Sequence, residues 1–98
     1  MVTKEQARAI AVEHLLREHP GGDVAIVDVD TIERGYGWVF FYNSKRFLST
    51  ENVSYALAGN GPLVVNKVDG SVHQLGSALD IEQTLRQFEL TEKRRLDR

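Results

Sequence analysis

Apolar residues recur at Ala7, Ile10, Ala11, Leu15 and Leu16, the spacing of one helix face. Thr3 and Gln6 match a capping box at its start. His19-Pro20-Gly21-Gly22 ends it, because proline disfavours helix before it and glycine releases the chain afterwards. A helix over 3–18 is predicted. From Asp23 to Glu33 the period changes to two, with Val24 and Ile26 on one face and Ala25, Val27 and Val29 on the other. Asp28 and Asp30 share a face, so a strand that begins buried and ends wet is expected.

Arg34-Gly35-Tyr36-Gly37 reads as a hairpin connection into Trp38–Asn43, where Trp38, Phe40 and Tyr42 alternate with Val39, Phe41 and Asn43. That concentration of aromatics predicts a central strand. Residues 44–61 lack a clean period; Phe47 and Leu48 read as an extended piece, with a helical turn near Val53 to Leu57 in a loop. Pro62–Lys67 and Ser71–Leu75 form two strands about Val68-Asp69-Gly70, where Asp-Gly is a hairpin signal. Asp80 as N-cap, Gln83 as its capping-box partner and Leu79 as a hydrophobic staple start a last helix, with Ile81, Leu85 and Phe88 as its apolar stripe. Beyond Thr91 only Leu96 is apolar, so residues 91–98 are expected to be a charged, fraying tail. The order α-β-β-β-β-α predicts one domain over 1–98, an α+β fold with an antiparallel sheet of about four strands.

Charge narrows the partners. With 12 basic and 14 acidic side chains and a net charge of −2, the chain lacks the basic excess that nucleic acid requires. Lys93-Arg94-Arg95 lies beside Glu92 and Asp97 and reads as a solvated helix end. The absence of cysteine removes disulfides, thiolate zinc sites and thiol nucleophiles, and fits a cytoplasmic protein. Lys4, Glu5, Arg8 and Glu13 are out of place in a signal peptide, and no apolar run approaches the about 18 residues of a membrane span.

Candidate chemistry fails on context. The glycines of Ala58–Gly76 suggest a phosphate cradle, but Gly59 and Gly61 lead into a strand, and Pro62 removes an N–H that a cradle would use. They read instead as shaping the approach to that strand, with Gly70 closing a hairpin and Gly76 releasing the last strand. His14 and His19 are five apart, the wrong spacing for one helix face, and His73 stands alone. No serine or threonine has a nucleophile context. Asp28 and Asp30 are the remaining pair, as an acid–base set with His73, as charges that blunt a strand edge, or as an acidic contact patch. Neither a metal nor a cofactor is expected.

Trp38, Phe47-Leu48, Ala58-Gly59-Asn60-x-Pro62, Asp69-x-x-x-His73 and Leu75-Gly76 form a collinear set. With the C-terminal helix containing Phe88-Glu89, the stretch 36–90 resembles the YrhB-domain family, also called the immunity protein 35 family. The resemblance implies a small bacterial α+β protein encoded beside a polymorphic toxin, which it neutralises by binding at the active site or substrate surface. It carries over no catalytic residue and implies no enzyme. The cognate toxin it suggests is a protein-modifying one of papain-like fold, such as a glutamine deamidase. A chaperone-like holdase is the alternative. By residue type, the partner-binding candidates are Asp28, Asp30, Glu33, Tyr36, Trp38, Tyr42, Arg46 and Tyr55, with Trp38 also suited to the core.

Overall fold

The computed structural model describes residues 1–57 and 60–96. Helix α1 spans Lys4–Glu18, with the Thr3 side chain accepting from the Gln6 N–H and the Gln6 side chain returning to the Thr3 N–H. The expected capping box is therefore complete. Ala7, Ala11 and Leu15 are its buried face.

Strands β1 (Val24–Ile26), β2 (Ile32–Arg34), β3 (Gly37–Phe40) and β4 (Tyr42–Ser44) follow, then α2 (Lys45–Thr50), β5 (Leu63–Asn66), β6 (Val72–Gln74) and α3 (Ile81–Leu96). All pairings are antiparallel. A four-stranded sheet runs β2-β3-β5-β6, and β1 pairs separately with β4. The α+β architecture, with a helix at each end of the chain, matches the expectation.

The sheet is buried on both faces. Trp38, Phe40, Tyr42, Leu63 and Val65 pack with Val24, Ile26 and the apolar face of α1. Val39 and Val64 pack on the other side with Leu85 and Phe88 of α3. Strand alternation accounts for the division, because successive side chains point to opposite faces. Gly37 crosses β5 so closely that a Cβ there would collide with the Val65 carbonyl, and its φ of 153° further disfavours a side chain.

Four expectations change. The single strand from Asp23 to Glu33 is a broken edge strand. Val27 N–H still reaches the Phe41 carbonyl at 2.8 Å, and the next pair is Ile32 with Val39, so residues 28–31 stand against Phe40 alone. The surplus bulges into a 3-10 turn, Asp28–Asp30, which carries both aspartates off the strand. Phe47 and Leu48 are helical: Ser44 Oγ accepts from the Phe47 N–H at 3.0 Å and caps α2. The helical turn expected nearby is present at Val53–Tyr55.

At α3, Asp80 Oδ1 accepts from the Gln83 N–H at 2.9 Å as expected of a cap, but Leu79 stays 45% exposed and outside both core clusters, where a staple was expected. The helix continues through Leu96 where a tail was expected from Thr91. The expected role of Gly59 falls outside the described residues. Gly61 lies where a Cβ would strike the Leu75 and Gly76 carbonyls, so the close approach of the chain before β5 requires glycine there.

Candidate functional site

The eight contact candidates divide into a buried set and an exposed set. Trp38 and Tyr42 are 6% and 8% exposed and belong to the core facing α1. Lys67 Nζ lies 5.2 Å above the Trp38 ring, and the Tyr42 hydroxyl donates to Gln74 Oε1 at 3.2 Å. Tyr36 is half-buried, its ring edge-on to Phe88 with centroids 5.2 Å apart. Burial raises the pKa of its hydroxyl, which has no hydrogen-bond partner among the described residues. These three aromatics hold the fold.

The other five are exposed, with Asp28, Asp30 and Glu33 beyond one end of β1 and Arg46 and Tyr55 near the other. Asp28, Asp30 and Glu33 are exposed on the 28–30 bulge and on β2. Arg8 on α1 grips Asp28 through two hydrogen bonds of 2.7 and 2.9 Å and holds its carboxyl below the usual carboxylate range. Between the two aspartates Val29 is 92% exposed. At the other end of β1, the Arg46 guanidinium stacks 5.2 Å from the Tyr55 ring centroid. Asp23, Lys45, Arg46, Tyr55 and Leu57 line a cleft of about 630 Å³ there.

The structure does not assemble Asp28, Asp30 and His73. Asp28 is held by α1, whereas His73 packs edge-on against Phe88 of α3 on the opposite side of the sheet. Among the described residues, no group of three or more His, Asp or Glu side chains is placed to hold a metal ion. No described helix is long and apolar enough to cross a membrane.

Sequence reasoning missed a polar cluster under α3. Glu92 is 2% exposed, and its Oε1 accepts from Asn66 Nδ2 at 2.8 Å on β5, where Asn66 is fully buried. Arg95 donates Nε to Glu92 Oε2 at 2.7 Å, Nη1 to Asp69 Oδ2 at 2.9 Å and Nη2 to Ser71 Oγ at 3.0 Å. The Arg95 guanidinium lowers both carboxylic pKa values, and its own is raised in return. Ser71 Oγ lies 2.8 Å and Glu92 Oε1 3.4 Å from His73, both at Nε2. A nucleophile relay uses opposite ring nitrogens for serine and acid, so this is no catalytic triad. The cluster is a latch joining the C-terminal half of α3 to the β5–β6 hairpin.

The profile of the family described as Immunity protein 35 matches residues 5–88. The chain is 37% identical over 54 residues to the Uncharacterized protein YrhB of Escherichia coli (strain K12), a match covering 55% of this chain and 57% of that protein. The chain thus spans little more than half the length of this curated relative. No solved structure matches. Two helices flanking an antiparallel sheet, the glycine-bearing stretch before β5 and a profile match over most of the chain lead to one assignment: the chain belongs to the immunity protein 35 family.

Proposed function

We propose that the protein is an immunity protein that binds a cognate bacterial toxin domain and blocks its active site or substrate surface, using the exposed edge that runs from Tyr55 and Arg46 along β1 to Asp28, Asp30 and Glu33. Membership of the family carries this reading, since it implies a cognate toxin as partner and an inhibitor role rather than an enzymatic one. The edge supports it by composition. It combines an arginine stacked on a tyrosine, an apolar tip at Val29 and exposed carboxylates, the residue types of an interface anchor and its polar rim. Exposed aspartates also speed encounter with a basic surface. A polymorphic toxin of papain-like fold, such as a glutamine deamidase, is the partner this reading puts first.

The holdase alternative is not favoured. The large exposed apolar side chains are spread over α1, the 28–30 bulge, α2, the Val53–Tyr55 turn, the β5–β6 turn and α3. Co-expression with the toxin encoded beside the gene tests the proposal. Growth is expected to be restored and the two proteins to co-purify; persistent toxicity without co-purification would overturn it.

A further inference from the structure

We infer that the outer edge of β1 is where the partner adds an extended segment as an extra strand, with apolar side chains at alternate positions and an acidic side chain set against Lys45 and Arg46. This rests on the toxin-binding reading and specifies how the contact is made.

The backbone is open to such an occupant. Lys45 N–H reaches the Asp23 carbonyl and Val27 N–H reaches the Phe41 carbonyl, both at 2.8 Å, so the odd-numbered residues of β1 bond to β4. Antiparallel ladders alternate. The N–H and C=O groups of Val24 and Ile26 therefore point away from β4, and β1 has no second strand neighbour among the described residues. Water can satisfy such groups one at a time, whereas another backbone matches the whole row of alternating donors and acceptors at once.

Proteins usually blunt such edges with charge. On β2 the outward residue is Glu33, and Arg34 beside it is paired to Glu82 at 3.0 Å. On β1 no charge interrupts Val24 to Val27.

The surroundings fit a strand with side chains. A cleft of about 240 Å³ runs along the edge, lined by Val12, Leu15 and Leu16 of α1 and by Val24, Ala25 and Ile26. Lys45 lines both this cleft and the larger one beyond Gly22. Lys45 and Arg46 form no ion pair among the described residues. They provide complementary charge for a carboxylate beside the Asp23 end of β1, where Lys45 borders both clefts.

A second copy of this chain fits less well. Its β1 offers only Val24–Ile26 before the 28–30 bulge turns it away, too short to occupy also the second cleft at Gly22 and Tyr55.

The experiment is amide hydrogen exchange by NMR on the protein alone and bound to a catalytically inactivated form of the toxin domain encoded beside its gene. In the complex the Val24 and Ile26 amides are expected to slow by about tenfold or more, as newly bonded amides do. A complex in which both exchange as in the free protein leaves toxin binding standing and overturns the strand addition. No complex at all overturns both. Protection that rises with the protein's own concentration in the absence of toxin identifies a second copy as the occupant and overturns the proposal. Reversing both charges, with Lys45→Glu and Arg46→Glu, is expected to weaken toxin binding about tenfold or more, with the melting temperature unchanged. Unaltered affinity in this doubly reversed variant overturns the acidic contact.

Discussion

At the scale of a residue, Glu92 carries the largest local consequence. A buried carboxylate is costly unless it is paired and hydrogen-bonded. Glu92 meets the condition through Asn66 and Arg95, with His73 at 3.4 Å. Truncation by Glu92→Ala strands the buried Asn66 amide and frees Arg95, and is expected to cost about 2 kcal/mol in urea unfolding. Glu89→Ala makes the control, because Glu89 is exposed and its pair to Lys93 is long at 3.9 Å; it should cost under about 0.5 kcal/mol. Equal effects from the two variants would refute the latch. The sequence held a signal for Glu92, since it continues the stripe Ile81, Leu85, Phe88 at helical spacing. The charges around it pointed to solvent instead, and a buried charge is betrayed only by its partners. Apart from Arg95, those partners are far away in the chain, at Asn66 and His73.

At the scale of an element, α3 is joined to the β5–β6 hairpin by groups that titrate. Asp69 and Glu92 both have pKa values lowered by Arg95 in the fold. Lowered carboxylate values mean that the stabilisation is complete above the ordinary range near 4 and disappears as pH falls through the lower folded values. Below about pH 4 the amides of the second half of α3 should therefore exchange faster, ahead of those in α1. Parallel acceleration of both helices would show that the latch does not set the order of opening.

Element type was legible where local chemistry decides it. The Thr3 and Asp80 caps and the Asp-Gly turn are each contained within a few residues. The bulge was not legible, because it depends on which residues of the β3–β4 ribbon are already paired. Nor was α2, whose cap, Ser44, read as the first residue of a loop.

At the scale of the whole molecule, the contact candidates separate by layer, and residue type alone could not divide them. Trp38 and Tyr42 suited an interface by chemistry, yet strand alternation places them against α1. The exposed and buried sets make opposite predictions. Asp30→Ala and Tyr55→Ala should each leave stability within about 0.5 kcal/mol while weakening capture of the toxin. Trp38→Ala should cost about 3–5 kcal/mol and abolish capture through loss of the fold. Calorimetry on the isolated variants, followed by pull-down with the toxin, separates the two. If both edge variants capture the toxin at full strength, the binding face lies elsewhere.

The bulge between β1 and β2 gives this chain a place that tolerates change. Val27 and Ile32 are each pinned to the ribbon, at Phe41 and Val39, so the backbone between them is already a closed loop outside the ladder. Lengthening a flexible loop of this kind costs only about 0.6 kcal/mol per doubling. Insertions and exchanges at Asp28–Asp30 can thus accumulate without shifting strand register on either side. If the proposed edge binds the toxin, such changes would alter the contact there while the scaffold stays the same.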